Sequence, residues 1–216
     1  MPTKKNAQSS ANPRFFAREA VNFGFETAKD NLFYFITLFI VVILLYAVMG
    51  ILQGIFTFRL NAILALLVIL LRIVVSLIIS MGLIKISIEF VEKKKPQLSD
   101  LFYTKSLLNF FLVSFVRGCI ILIGLVLLII PGIVFAVKLQ FAEYLVVDKD
   151  EGVVEALSKS WDMTRGNIWK LFFYGILLFL INVLGFIALL VGLFITVPLT
   201  MLATTFVYRK LLAQSH

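Results

Sequence analysis

The sequence has very few of the residues that carry most enzyme chemistry. Its 216 residues include one cysteine, Cys119, and one histidine, His216. A single cysteine excludes an intramolecular disulfide, and Cys119 lies in an apolar run, where a thiol usually serves as a small buried hydrophobe. A lone histidine at the last position supplies neither a catalytic triad nor a histidine metal site. We therefore expect a protein that is not an enzyme, with no catalytic residues, no metal and no cofactor.

Charge is also scarce, and apolar residues take its place. Only 15% of the residues are charged, 61% are hydrophobic and the mean hydropathy is +1.04, whereas globular domains have roughly 25% charged residues. The sequence therefore predicts an all-α, multi-pass membrane helix bundle. The net charge of +8 would suit nucleic acid, but the cations are spread over the polar loops. We expect anionic membrane lipids as partners and no nucleic acid. An unknown membrane or cytoplasmic protein partner and the oligomeric state stay open.

The N-terminal segment is not a signal peptide by its sequence. "MPTKKNAQSSANPRFF" has no apolar core followed by a small-residue cleavage site. We predict a disordered basic tail over residues 1–13 and a single membrane domain over residues 14–216.

Six apolar stretches have the length that a membrane crossing needs. A bilayer core of about 30 Å takes roughly 20 helical residues. The predicted transmembrane helices are residues 32–52, 61–88, 107–130, 133–147, 168–185 and 188–212. The fourth stretch is short, so a re-entrant segment is the alternative to a full crossing.

The distribution of lysine and arginine predicts the orientation in the membrane. The N-terminal flank, the second and fourth connections and the C-terminus all carry several of these cations, whereas the other three connections contain only Arg59. Because Lys and Arg accumulate in cytoplasmic loops, we expect both termini on the cytoplasmic side of the cell membrane. This pattern requires an even number of spans and therefore supports six.

Two polar segments resemble each other at a spacing of 136 residues. "EAVNFGFETAKDNLFYF" (19–35) aligns without a gap on "EALSKSWDMTRGNIWKL" (155–171), and residues 79–94 align on 195–210. The first pair of segments precedes apolar hairpins, and the second pair follows them. Both copies start on the same side of the membrane, so the sequence predicts a parallel internal repeat. Residues 96–111 suggest a third, degenerate lead-in. Convergent chemistry at the membrane interface is the alternative explanation.

The second of these segments has the pattern of an amphipathic helix. Between Gly152 and Thr164 the apolar residues recur every three or four positions, and Gly166 is placed to end the helix. We predict a cytoplasmic interfacial helix that acts as an elbow into the fifth span; a docking site for a cytoplasmic partner is the alternative. The elbow motif consists of Glu155, Ala156, Leu157, Ser160, Trp161, Thr164, Gly166 and Asn167.

This motif also carries a family resemblance. The stretch "FAEYLVVDKDEGVVEALSKSWDMTRGNIW" (141–169) resembles a prokaryotic group of six-span membrane proteins labelled the membrane domain of glycerophosphoryl diester phosphodiesterase, or related uncharacterised membrane families. "PG" at Pro131 and "SDLF" at residues 99–102 are similar as well. The enzyme name refers to a soluble catalytic domain that some members carry and that these 216 residues do not contain. The resemblance implies a fold and a membrane location.

Apart from cations close to the ends of spans, such as Lys85, four ionisable residues fall inside the predicted spans: Arg72, Arg117, Lys138 and Glu143. Each costs about 2.5 to 3.5 kcal/mol on insertion scales, so each needs a partner or a function. In the structural reading, Arg72 or Arg117 pairs with Glu143 and the other is satisfied by carbonyls, Asn182 or tyrosines. In the functional reading, both arginines, with Lys138 and Glu143 nearby, line a basic cavity between the second, third and fourth spans. Such a cavity would bind a small anion or the headgroup of an anionic lipid.

These two readings correspond to two classes of function. A closed, dry bundle favours a non-enzymatic accessory or assembly factor of the cytoplasmic membrane. A cavity that reaches both Arg72 and Arg117 favours a transporter or a lipid-handling protein that binds an anionic ligand. The sequence puts the accessory role first.

Overall fold

The computed structural model describes residues 17–58, 62–188 and 192–215. These residues form α-helices and contain no β-strand, which confirms the all-α class. The helices are α1 (Ala17–Asp30), α2 (Leu32–Phe58), α3 (Ala62–Val91), α4 (Leu107–Leu127), α5 (Ile129–Lys138), α6 (Ala142–Lys149), α7 (Val153–Met163), α8 (Ile168–Ile187) and α9 (Leu193–Leu212), with a 3-10 helix (Leu98–Phe102) between α3 and α4. The predicted basic tail, residues 1–13, lies outside the described residues.

Five helical segments are long and apolar enough to cross a membrane. They are Leu32–Ile55, Leu66–Val91, Leu107–Leu127, Ile129–Lys149 and Ile168–Ile187, and they coincide with the first five predicted spans. The chain is therefore a membrane protein by its helical content. The fourth segment combines α5 and α6 and is longer than the predicted 133–147. The sixth predicted stretch, 188–212, coincides with α9, which is less apolar because it contains four threonines, Pro198, Arg209 and Lys210.

The outer surface of these helices is apolar. Large hydrophobic side chains such as Phe33 and Val126 are 84% and 79% exposed, a distribution that suits contact with lipid. Cys119 also lies on this surface, so the expectation that its thiol is buried was wrong. A helix that is apolar on all sides needs no inward-facing stripe, and the sequence of α4 therefore did not indicate which side Cys119 occupies.

The core lies between α3, α6 and α9. One buried cluster joins Met81 and Ile88 of α3, Leu145 of α6, and Val207 of α9. Helix α9 is the central element, since it buries ten side chains along its length. Its neighbours therefore cover the helix that is the least apolar of the five long helices α2, α3, α4, α8 and α9.

Two short elements pack closely on neighbouring helices at glycines. Gly24 of α1 contacts the backbone of α9 at Leu199, and Gly82 of α3 contacts the backbone of the 3-10 helix at Leu101. A β-carbon at either glycine would overlap a backbone carbonyl oxygen. Since these partners are backbone atoms within regular elements, only glycine allows so close an approach.

A tight connection joins α4 to α5. The backbone of Leu128 is extended. Pro131 lies in the first turn of α5, where backbone amides make no helical hydrogen bond, so a proline loses none. A β-carbon at Gly124 would lie 2.9 Å from the Cα of Gly132. The "PG" sequence therefore marks a helical hairpin with direct backbone contact.

The carboxyl ends of α3, α6 and α9 meet in an ion-pair network. Arg209 bonds to Glu92 and lies 2.8 Å from Asp148, and Lys210 lies 2.6 Å from Glu19 of α1. Burial alone would raise the pKa of Glu92, but Lys94 and Arg209 together lower it below its ordinary value. We call this end of the molecule the charged face, defined by Glu19, Glu92, Asp148, Arg209 and Lys210. The opposite end, where α2 ends and α3 begins, is the far face.

The glycine contact at Gly82 can be tested against a glycine in open space. Gly82→Ala should lower the free energy of unfolding by about 1 to 3 kcal/mol, because the new methyl group overlaps the Leu101 carbonyl. Gly118→Ala in α4 should be neutral or stabilising by up to about 1 kcal/mol, since nothing lies within 4 Å of its β-carbon position. Thermal unfolding in detergent compares the two. Equal unfolding temperatures would contradict the packing at Gly82.

Candidate functional site

Arg117 and Glu143 form an ion pair between α4 and α6. The Arg117 Nη1 lies 2.8 Å from Glu143 Oε1, and the Ser114 hydroxyl donates to the same oxygen at 2.9 Å. Both side chains are about three-quarters buried, with exposures of 26% and 22%. The predicted pairing of an arginine with Glu143 is therefore present in the structure, and it compensates this cation inside the bundle.

Arg72 lies elsewhere, on the lipid-facing side of α3. Its Nη1 donates to the side-chain oxygen of Gln53 on α2 at 2.8 Å. Within the described part of the chain no carboxylate lies within 4 Å of its guanidinium. The two arginines thus differ in environment, because only Arg117 is paired with an acid.

A groove of about 470 Å³ surrounds Arg72 between α2 and α3. Its polar side chains include Tyr46 and Ser76, and the Tyr46 hydroxyl donates to the Ser76 oxygen at 3.2 Å. We call it the Arg72 groove. The lining residues are Tyr46, Gln53, Ile69, Arg72, Ile73, Ser76 and Leu77.

Arg72 and Arg117, which the functional reading of the sequence placed in one basic cavity, have different partners in the structure. Arg72 lines the groove between α2 and α3, whereas Arg117 pairs with Glu143 between α4 and α6. The Lys138 ammonium lies 3.4 Å from the centroid of the Trp161 ring in a cation–π contact. Residues on three helices come together only if each helix turns the face that carries its residue toward the other two helices.

Two partners of these charges were not predicted from the sequence. Gln53 was not considered as a partner of an arginine, and Ser114 was not considered as a partner of Glu143. A glutamine or serine within an apolar run was the available signal, but the partner of each lies on another helix. Sequence spacing within one helix does not identify such a contact.

The elbow motif has a structural role at the break between α5 and α6. The Ser160 hydroxyl donates to the Lys138 carbonyl at 2.9 Å and accepts from the Phe141 amide at 3.2 Å. The break at Leu139–Phe141 frees backbone groups that a continuous helix would have paired. Ser160, which is fully buried, satisfies one carbonyl and one amide of this break.

Other motif residues pack beside this contact. Thr164 is fully buried and donates to backbone oxygens of its own helix, at 3.0 Å to Ser160 and 3.0 Å to Trp161. Ala156 is also fully buried, and Leu157 packs against the core. This face of α7 therefore fits against the fourth span rather than facing water.

The remaining motif residues lie at the two ends of α7. The Glu155 carboxylate folds over Gly152 before the helix, and Gly166 adopts a positive φ of 81° after it, a conformation that favours glycine. Asn167 is 1% exposed, and its side-chain amide has no hydrogen-bond partner among the described residues. Gly166 thus turns the chain where α7 gives way to α8, as the sequence predicted.

A second groove lies on the surface beside α7. Its volume is about 810 Å³. Lys159 lies 2.6 Å from Glu151, and a hydrogen bond from Ser106 together with Lys105 lowers the pKa of Asp150. Asp150, Glu151 and Lys159 therefore each have a partner of opposite charge. The lining residues are Lys149, Asp150, Glu151, Gly152, Val154, Glu155, Ser158, Lys159, Asp162 and Ser215.

Comparison with known families gives one match. A family model described as a domain of unknown function (DUF7847) matches residues 101–215, which is just over half of the 216 residues. The matched part contains the Arg117–Glu143 pair and the elbow motif, whereas Arg72 lies outside it. Comparisons with curated proteins and with solved structures find no match.

The contact at the helix break can be tested with two serines of the same helix. Ser160→Ala should lower the free energy of unfolding by about 1 to 3 kcal/mol, because it removes the hydroxyl that pairs the buried Phe141 amide and leaves the Lys138 carbonyl with only the longer 3.4 Å bond from Thr164. Ser158→Ala changes an exposed serine two residues away and should have little effect. Thermal unfolding in detergent measures both. A smaller effect for Ser160→Ala than for Ser158→Ala would rule out this role.

Proposed function

We propose that this chain, which belongs to the DUF7847 family of domains of unknown function, is a non-enzymatic accessory or assembly factor of the cytoplasmic membrane. The observation that carries the proposal is the closed arrangement of Arg117, Glu143 and Ser114. A transport site needs groups that exchange a ligand, whereas these three are engaged with each other. The resemblance to the membrane domain of glycerophosphoryl diester phosphodiesterase agrees with this role, since it implies no activity of the membrane part.

The proposal includes a sixth span formed by α9. Its 20 residues extend about 30 Å at 1.5 Å per residue, the thickness of a bilayer core. Its threonines have partners within the bundle: Thr205 donates to Ser87 of α3 at 2.8 Å, and Thr200 accepts from Asn182 of α8 at 3.2 Å. A helix covered by protein tolerates such residues at membrane depth.

We also propose the internal repeat. Positions 136 residues apart share the same burial: Ala20 and Ala156, Gly24 and Ser160, and Ala28 and Thr164 are all buried. Phe33 and Trp169, which also correspond, are 84% and 72% exposed. Similar surroundings at corresponding positions support a duplicated element over convergent interfacial chemistry.

The packing of the lead-in elements supports three hairpins in a ring. The hairpins are α2–α3, α4–α6 and α8–α9, and they are preceded by α1, the 3-10 helix and α7. The 3-10 helix and α7 each pack against the second arm of the hairpin that precedes them, on α3 and α6. The first lead-in, α1, packs against the second arm of the last hairpin, α9. This arrangement ties the three hairpins together.

We place the charged face, with both chain termini, on the cytoplasmic side. The clustering of Lys and Arg in the sequence at this end supports this orientation. Near it, α7 forms an elbow whose Val154 is 77% exposed, and Trp169 at the start of α8 is 72% exposed. Apolar and indole side chains at such positions suit the membrane interface.

Labelling of single cysteines tests the orientation. In a Cys119→Ser background, Lys94→Cys and Ser158→Cys should react with a membrane-impermeant maleimide only from the cytoplasmic side. Leu128→Cys, in the connection of α4 to α5, should react only from the opposite side. Labelling of Lys94→Cys and Ser158→Cys from opposite sides would refute the six-span arrangement.

The accessory role predicts that the Arg117–Glu143 pair is replaceable as a pair. Arg117→Met alone should cost about 3 to 5 kcal/mol, because it leaves Glu143 buried without its partner. The double variant Arg117→Met, Glu143→Leu should recover most of that stability in thermal unfolding. In mild detergent it should also elute in the same native complex as the unchanged protein. A stable double variant that no longer enters any complex, or a protein that is always monomeric, would contradict this role.

The alternative role, a lipid-handling protein or transporter for an anionic ligand, has one observation in its favour. Arg72 has no acidic partner among the residues that the structure describes, and it lines a groove that opens to the lipid. Arg117 does not share that groove.

A further inference from the structure

We propose that the Arg72 groove binds a phosphate group, with Arg72 as its principal ligand and the headgroup of a membrane phospholipid as the source. This proposal is independent of the accessory role, since it concerns α2 and α3 and does not involve the Arg117–Glu143 pair.

The charge of Arg72 has no acidic partner among the described residues. A guanidinium has five N–H donors, and within the described residues Arg72 uses one of them in a bond to Gln53. The other deep arginine, Arg117, is neutralised by Glu143. An arginine in apolar surroundings is costly without an anion. The same protein thus compensates one arginine with its own carboxylate and leaves the other for an external anion.

Arg72 lies in the half of α3 that is nearer to the far face. It is ten residues after Ala62, where α3 begins, which corresponds to about 15 Å at 1.5 Å per residue. Gln53 lies five residues before Phe58, where α2 ends. The 30 residues of α3 extend about 45 Å, which is about 15 Å longer than a bilayer core. With this excess length at the far face, a long arginine side chain reaches the headgroup layer by extending along the helix. The phosphate layer at the far face is therefore within reach of the groove.

The lining of the Arg72 groove is partly polar and partly apolar. The polar groups continue inward from Arg72 to Tyr46 and Ser76, whereas Ile69, Ile73 and Leu77 supply apolar surface. The polar part suits a headgroup, and the apolar part suits the start of an acyl chain. A volume of about 470 Å³ holds a phosphate with its glycerol. The guanidinium fork bonds phosphate at two points, which an ammonium does not.

The test compares lipids with and without phosphate on the full chain. The protein is purified without phosphate buffer, incubated with phosphatidylglycerol or with diacylglycerol, and analysed by native mass spectrometry. We expect retention of phosphatidylglycerol and not of diacylglycerol. Arg72→Gln should weaken retention about ten- to hundredfold, as expected for the loss of hydrogen bonds to a charged group. Arg72→Lys should retain less lipid than the unchanged protein and more than Arg72→Gln. Lys170→Gln, which removes an exposed cation outside the groove, should retain lipid normally.

A second arm separates the sources of the phosphate. If inorganic phosphate raises the unfolding temperature of the unchanged protein but not of Arg72→Gln, and no lipid is retained, the groove binds phosphate from solution and the lipid source is wrong. Equal retention of phosphatidylglycerol and diacylglycerol by the unchanged protein would overturn the proposal without any variant. So would normal lipid retention by an Arg72→Gln protein that keeps its helical content by circular dichroism. The variant Arg117→Met, Glu143→Leu should retain lipid normally. A failure of the accessory role can therefore be distinguished from a failure of phosphate binding in the Arg72 groove.

Discussion

A backbone amide or carbonyl that is buried in a helix bundle has no water to bond to, so a chain that interrupts a helix there must supply a substitute from within. The fourth apolar segment of this protein is interrupted between α5 and α6, and the substitute is the hydroxyl of Ser160. This contact explains why a strongly apolar chain contains a polar segment such as the elbow motif. The small polar residues of α7 lie against the fourth span, while its charged residues lie outside. The path of α7, and with it the start of α8, depends on this contact.

The same requirement distinguishes the two deep arginines. Arg117 has an acid on α6 and a serine one turn earlier on its own helix, so its charge belongs to the packing of α4 against α6. Arg72 has an amide on α2 and no acid among the described residues. One arginine is therefore a part of the bundle's interior, and the other is a part of its boundary with lipid.

The sequence predicted the helices much better than their contacts. Uninterrupted runs of Leu, Ile, Val and Phe indicate the apolar segments of α2, α3, α4 and α8, because length and hydropathy suffice for a span. The break after Lys138 was not predicted, since "IVFAVKLQFAEYLVV" contains neither proline nor glycine. The hydroxyl that pairs the freed backbone groups of Phe141 and Lys138 lies 19 and 22 residues later, in α7. The partner of Arg72 depends on how α2 crosses α3. Helices that are apolar on every side have no apolar stripe in their sequence that would indicate which faces meet where they cross.

Helix α9 has a consequence for the order in which the protein is assembled. It covers α1 along one side, and at its end Arg209 joins the carboxylates of α3 and α6. During synthesis, α1, α3 and α6 are therefore all made before the helix that completes their contacts. Glu92 and Asp148 remain without Arg209 until residues 193–212 leave the ribosome. The contacts that join α1, α3 and α6 through α9 can therefore form only after these three helices have been made.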